Sequence, residues 1–393
     1  MPGTLEGVRV LDLSQGIAGA VAGMILADHG ADVVKVEPPE GDLVRYLEGW
    51  RVWHRGKRSL VLDIERQAGR NTLIRLARDA DLLVESEPPG RMAPLGLDYA
   101  SLSPNLPGLI YASFTGYGQT GPDRDRPSRG ELVEARLGLQ QSQAGYRDGP
   151  IYLGWPLTEY GGALLLAIGV VTALFARATT GRGQRVETSL KNGAAFLAGS
   201  SWVRGDTPSL GGQRRREPGI RAALGNTRHV VGVFQCQDGG WVHVHDAPRG
   251  GFNRMMRCFG MHHLVDPDKE TESQPTPLSQ EVADRMWADV EEVLRTKPRD
   301  EWVLILAGDD LPVMPPGDCF YDEQLNANDL FVEVEDPEVG LLRQVGIPLQ
   351  IDRTPGQVAG PAPRLGQHTD EVLHAAGFSA SEIGGLRAER SVL

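Results

Sequence analysis

The sequence predicts an α/β protein, with an open, largely parallel sheet in its first half and a smaller α+β domain after it. Three observations carry that reading. Short apolar strands alternate with helices through the first 115 residues, a hairpin pattern of alternating residues begins near residue 230, and 393 residues are too many for one ordinary core.

Taken in order, Gly7–Leu13 is a compact apolar strand, Ser14–Gly16 a polar turn, and Ile17–His29 a helix stopped at Gly30. Asp32–Glu37 (DVVKVE) follows at once, so the chain opens with a parallel strand, helix, strand unit. The turn reads SQGIAG, without the glycine spacing of a dinucleotide fingerprint, and a dinucleotide cofactor is set aside. A basic segment, Arg51–Ser59 (RVWHRGKRS), leads into a strand at Leu60–Ile64. The unit then repeats as a helix, Gln67–Arg78, and a strand, Leu82–Glu85, and Leu109–Phe114 adds another strand. From Thr115 to Gly149 the composition turns to Gly, Arg, Asp and Gln, which suits either a ligand loop at the carboxyl end of a strand or a plain surface connection.

The stretch Leu153–Glu187 contains a long helix with Thr158 as its N-cap and a hydrophobic run from Ala163 to Ala176, stopped by Gly181 and Gly183 in TTGRGQ. The run is short and interrupted by Gly169 and Thr172, so it predicts a helix buried on most faces and no membrane span. A strand, Arg185–Thr188, and a helix, Leu190–Ser200, follow. Residues 201–228 form a linker by composition, with a basic run at Gln213–Glu217. Val230–Asp246 is a hairpin, and helices are expected at Gly251–Phe259, Ser279–Arg295 and Arg299–Ala307, with a polar, mobile stretch at Asp266–Pro277. Val313–Asp318 and Asp336–Gln350 look like a return to the first domain, and the C-terminus ends in a helix from Thr369. The expected domains are 1–200, a linker 201–228, a small domain 229–325, and 326–393 back in the large domain.

A formal net charge of -12 argues against general nucleic-acid binding but leaves room for a local anion site. The first residues, MPGTLEGVRVLDL, carry no basic region ahead of an apolar stretch, so a cytoplasmic protein without a membrane anchor is expected. Cys236, Cys258 and Cys319 are odd in number and widely spaced, which suits a reducing compartment. His243 and His245 alternate on a strand with no third ligand at metal spacing, and no nucleophile-elbow sequence occurs, so neither a metal site nor a Ser/His/Asp triad is expected.

Glu159 is the residue on which function turns. A carboxylate in a first helical turn meets orphan N–H groups and the positive end of the dipole, which keep it ionised as a nucleophile, a base or a simple cap. Small residues at Gly161, Gly162 and Ala163 let that turn lie close to another backbone. The cluster Arg51, His54, Arg55, Lys57 and Arg58 is either a solvated loop or an anion site.

The blocks LEGVRVLDLSQGIAGAVAGMILADHGADVVKVEPPEGD, RGKRSLVLDI, YASFTGYGQTGP, ALFARATTGRGQ and LGQHTDEVL, in this order and spacing, resemble the family III CoA-transferases, a superfamily that includes formyl-CoA transferase, carnitine CoA-transferase and alpha-methylacyl-CoA racemase. The resemblance covers nearly the whole chain. It implies a large Rossmann-like domain from both chain ends, a small domain from the middle, and an interlocked homodimer. It also implies coenzyme A or acyl-CoA as substrate with a small carboxylic acid, and no permanently bound cofactor. The family's catalytic aspartate falls on Glu159. Gln15, Gly16, Ile17 and Ala18 match the turn that lies along CoA, and Lys57 and Arg58 the basic strand entry. ESEPPG replaces the usual ENFRPG and Pro94 an arginine, which Arg91 is placed to replace. Gly116, Tyr117, Gly118 and Gln119, with Gly161 and Gly162, are the expected oxyanion and substrate-loop residues. The racemase histidine falls on Gly130, beside Glu131. The leading expectation is a CoA-transferase working through Glu159. The alternatives are a degenerate or structural subunit paired with an active homologue, and an acyl-CoA isomerase or lyase using Glu159 or Glu131 as base.

Overall fold

The computed structural model describes residues 2–142, 149–199, 229–246, 249–271 and 278–393. The linker expected at 201–228, with its basic run, lies outside them, as does 272–277 of the polar stretch. The chain divides into two compact units, one of Met1–Gln140, Tyr152–Gly205 and Leu325–Leu393, the other of Gln141–Ile151 and Asp206–Gln324.

In the first unit, β1 (Arg9–Asp12), α1 (Ile17–Asp28), β2 (Asp32–Glu37), α2 (Trp50–Trp53), β3 (Arg58–Val61), α3 (Gln67–Ala77), β4 (Leu82–Glu85), α4 (Tyr99–Leu102) and β5 (Ile110–Thr115) follow one another. Then come α5 (Gly130–Leu137), α6 (Leu139–Ser142), α7 (Leu157–Thr180), β6 (Arg185–Ser189) and α8 (Leu190–Ala198). The six strands pair in parallel in the order β3-β2-β1-β4-β5-β6. That is a doubly wound order whose direction reverses between β1 and β4, where such sheets open a ligand crevice. β4 and β5 are buried at every position, as expected of parallel strands covered on both faces. Val10, Val33, Leu82 and Ile110 face a core with α1, α5, α7 and α8, while Leu11, Val34, Leu83 and Tyr111 face one with α3 and the C-terminal helices Thr369–Ala375 and Ala380–Ala388.

Several expectations are corrected. Helix α7 begins at Leu157 with Pro156 as N-cap, so Thr158 lies inside the helix and its hydroxyl donates to Glu134 Oε1 instead (3.1 Å). Nor is α7 buried on most faces: Leu164, Ile168 and Phe175 are 50%, 58% and 78% exposed, and Tyr160 and Val171 continue the stripe. By length and composition alone α7 is apolar enough to cross a membrane, but its other face packs in the first core. The segment read as a ligand loop or surface connection contains α5 and α6. Phe331–Asp336 and Gly340–Val345 form an antiparallel hairpin, and a second C-terminal helix follows the first.

Helices α7 and α8 cross with backbones nearly touching. A Cβ on Gly193 would fall within the contact radius of Gly162 N and 2.8 Å from the Gly161 carbonyl carbon. The small residues at this crossing are thus steric requirements of the packing.

The second unit is built on the hairpin Val231–Gln235 and Trp241–His245, extended antiparallel by Val313–Met314, so Val313–Asp318 belongs to this unit and does not return to the first as expected. Helices Gly251–Cys258, Gln280–Leu294 and Arg299–Gly308 complete it, and its core includes the stacked rings of Phe234 and Trp287 at 5.7 Å.

Gly193→Ala is expected to destabilise the protein by about 1–3 kcal/mol through overpacking between two backbones, read as a lowered midpoint in urea denaturation. An unchanged midpoint would refute this account of the crossing.

Candidate active site

The crevice at the strand-order reversal is shaped first by charge. Asp12 ends β1, Lys35 lies on β2, Asp42 in the loop after it, and Lys57 just before β3, all buried. Lys57 Nζ binds Asp12 Oδ2 at 3.1 Å and donates to Ala20 O at 2.9 Å; Lys35 Nζ lies 2.9 Å from Asp42 Oδ2 and also donates to the Ser14 carbonyl. Burial alone would push Asp12 up, but Lys35 and Lys57 override it and hold its carboxyl below the usual range. Burial and then the surrounding cations, Lys57, Lys35 and Arg45, push His54 well below its ordinary value, so its ring is neutral.

This network fixes the turn between β1 and α1. Gly16, at a positive φ of 88°, donates its N–H to Asp42 Oδ1 (3.1 Å). Gln15 N–H donates to Ser86 Oγ (2.7 Å), joining the carboxyl ends of β1 and β4 across the crevice. Gln15, Gly16 and Ile17 are half-buried there, whereas Ala18 belongs to the core.

Beside Ser86, the Glu85 carboxyl accepts from Ser113 Oγ and from Glu87 N–H (2.7 Å). Ser113 in turn accepts from Gln119 Nε2 (2.7 Å), which ties the Gly116–Gly121 loop to the sheet. Burial pushes Glu85 up to about 7 against the two hydrogen bonds it accepts. In the same loop, Gly118 N–H donates to Thr115 Oγ1 (3.0 Å), Tyr117 packs against the first core, and Gly116 lies against the Ser128 side chain. Ser128 is two residues before Gly130, so the loop and the start of α5 are neighbours.

Glu159, in the first turn of α7, accepts the N–H of Gly130, the first residue of α5, at 3.0 Å. Burial pushes its carboxyl above the ordinary range; hydrogen bonds from its own backbone and from Gly130 pull it down, and Glu131 and Glu134 push it up. Glu131 is exposed on α5 and Glu134 buried beneath Thr158. Next to Glu159, Tyr160 Oη accepts from Trp53 Nε1 (3.0 Å), which brings α2 against the start of α7.

Other expected site residues stand elsewhere. Lys57 is buried, with its ammonium on Asp12 and Ala20 O. Arg58 is engaged by Asp32 (2.6 Å) and Glu371 (3.1 Å), and Arg91 pairs with Glu65. Gly161 and Gly162 are the fifth and sixth residues of α7. They lie beyond the free N–H groups of its first turn and pack against α8 and Phe114. Glu85 and Ser113 were missed; the sequence points to Gly130 only as the position of the racemase histidine and to Ser86 only as a polar residue in the altered ESEPPG block.

The turn after β1 stands at the reversal point of a doubly wound sheet, where α/β proteins commonly bind ligands. Over residues 5–369 the chain matches the family model described as CoA-transferase family III, and it belongs to that family. It is 31% identical to an acyl-CoA transferase of Fusarium pseudograminearum (strain CS3096), over 98% of this chain and 88% of that one. It is 28% identical to the succinyl-CoA–D-citramalate CoA-transferase of Chloroflexus aurantiacus (strain ATCC 29366 / DSM 635 / J-10-fl), over 100% and 98%. A crystal structure of a CaiB/BaiF family protein from Brucella suis superposes with a TM-score of 0.78 at 25% identity, covering 96% of this chain and 100% of that one.

Glu85 gives a pH-dependent prediction. With a folded value near 7 against an ordinary 4.5, the native state keeps a proton that the unfolded chain releases, so stability falls as pH rises through that window. Glu85→Gln is expected to remove a decline on the order of 3 kcal/mol between pH 4.5 and 7, measured by urea denaturation across that range. Parallel curves for the two proteins would refute it.

Proposed function

We propose that this chain is a CoA-transferase that moves CoA from an acyl-CoA to a small carboxylic acid, with Glu159 as the nucleophile. The observation that carries this reading is a half-buried carboxylate, held by the Gly130 N–H at a helix start, at the position where the family resemblance places an acid. A Glu159 oxygen attacks the thioester carbonyl; the C–S bond breaks, and CoA leaves as thiolate from a mixed anhydride. The thiolate attacks the Glu159 carbonyl of that anhydride, releasing the donor carboxylate and leaving a glutamyl-CoA thioester. The acceptor carboxylate attacks this thioester to give a second anhydride and thiolate. Thiolate attack on the acceptor carbonyl then yields the new acyl-CoA and restores Glu159. No electrons are exchanged with an outside reagent.

In this reading CoA lies along Gln15, Gly16 and Ile17, its anionic part near the outer sides of Arg58 and Arg91. Backbone N–H groups of the Gly116–Gly121 loop, with Tyr117 and Gln119 beside them, stabilise the oxyanion. The large domain comes from both chain ends, the small one from the middle, and the protein acts in the cytoplasm.

Incubation with acyl-CoA followed by hydroxylamine is expected to modify Glu159, read by peptide mass spectrometry, and Glu159→Ala is expected to lose transfer at least about a thousandfold. Transfer by Glu159→Ala at the normal rate ends the proposal. Exchange of the alpha proton with deuterated solvent, without an acceptor acid, would point instead to an isomerase; absence of any heat with CoA in calorimetry would point to a structural subunit.

Two copies pair through the exposed stripe Leu164, Ile168, Val171 and Phe175 of α7, joined by Phe196 and Leu197 of α8. These large apolar side chains are all exposed, as at surfaces that another molecule covers. Phe175→Asp with Ile168→Asp is expected to lower the mass in light scattering from dimer to monomer, and an unchanged dimer would show that the stripe is not the contact.

A further inference from the structure

The structure leaves space at one point in the site where a side chain would ordinarily stand. A Cβ on Gly130 would fall inside the contact radius of both carboxylate oxygens of Glu159 and of its Cδ. The same residue donates its backbone N–H to Glu159 Oε1 at 3.0 Å. Gly130 is buried, has no positive φ, and begins a helix of 8 residues, so neither its backbone conformation nor its helical position calls for glycine. What does call for it is the carboxylate.

We infer that Gly130 and Glu159 are a matched pair, in which the missing side chain of Gly130 is the space that the longer glutamate occupies and its N–H fixes the reacting oxygen. Gly130 is therefore the positioning residue that makes a glutamate workable where the family resemblance expects an aspartate. An aspartate on the same backbone ends one methylene sooner. Its carboxylate falls short of the Gly130 N–H and leaves an unfilled gap. A side chain at 130 has the opposite effect: it leaves the N–H in place but pushes the glutamate off it. Each change alone misplaces the nucleophile by about 1 Å or more, enough to slow reaction about a hundredfold. Together they are not additive, because an alanine methyl at 130 has no glutamate carboxylate to displace once the acid is shortened.

The atom that yields at Gly130→Ala is the free end of a side chain, not backbone, so the fold is expected to survive the substitution. That separates positioning from stability. The inference rests on Glu159 being the nucleophile, and the experiment tests the two separately. Acylation of residue 159 by acyl-CoA, trapped with hydroxylamine and quantified by peptide mass spectrometry, is compared in the unmodified protein, Gly130→Ala, Glu159→Asp and the double variant, with thermal melting on all four. The expected result is labelling at 159 in the unmodified protein and about a hundredfold slower labelling in each single variant. The double variant should label about as fast as Glu159→Asp alone, against the further loss that independent sites would give. The melting temperature of Gly130→Ala should stay within a degree or two of the original. Labelling of Gly130→Ala or of Glu159→Asp at the original rate overturns the pairing while the transferase reading stands, and so does a double variant whose losses simply multiply. Absence of any label at 159 in the unmodified protein overturns the transferase reading and the inference with it.

Discussion

The buried charges at the carboxyl end of β1 are the constraint on which the site depends. Asp12, Lys35, Asp42 and Lys57 are each almost free of solvent, and they sit on or beside three neighbouring parallel strands. Parallel pairing sets the register of those strands but says nothing about the path of the turn that leaves β1. The charges supply that: Asp42 takes the Gly16 N–H, Lys35 the Ser14 carbonyl, and Asp12 the Ser14 N–H. Taking one partner away would leave a buried charge uncompensated, a penalty of about 3–5 kcal/mol that a surface pair does not carry. The turn after β1 is thus held from beneath, with Gln15, Gly16 and Ile17 half-buried above it.

Helix α7 links this scaffold to the chemistry. Its inner face packs on the sheet and α1, its small residues admit α8 at backbone distance, and its first turn carries Glu159. The bond from Trp53 to Tyr160 brings α2, which leads to Lys57, against that same turn. The position of the carboxylate is consequently set by packing on several sides and not by the loop that precedes the helix.

The strands were legible because parallel strands buried on both faces read as unbroken apolar runs; Asp32–Glu37 and Leu82–Glu85 fall where the sequence places them. The hairpin at Val231–His245 was legible from its alternation and its Asp-Gly-Gly turn. Helix α5 was not, because a region rich in Gly, Arg, Asp and Gln reads as loop until the buried faces of Val133 and Glu134 are known. Lys57 shows a deeper limit. The sequence displays a cation in a basic run, but whether it meets a ligand or an internal acid depends on Asp12, 45 residues away. The exposed stripe of α7 was hidden for a related reason: an apolar helix carries the same pattern whether its second face meets its own core or another molecule.

Glu159 was visible from the start as an acid in a first turn; what the sequence could not show is how a longer acid fits. Read alone, the extra methylene displaces the reacting oxygen and argues for lost activity. In the fold, the carboxylate reaches across to α5 and takes the N–H of a residue that has no side chain to block it. Burial, Glu131 and Glu134 disfavour the charged form while two backbone donors favour it, and the net shift is upward. Helix dipole alone explains an acid at the start of α7; it does not explain a glycine at the start of α5. The two positions, 29 residues apart, make physical sense only when taken together.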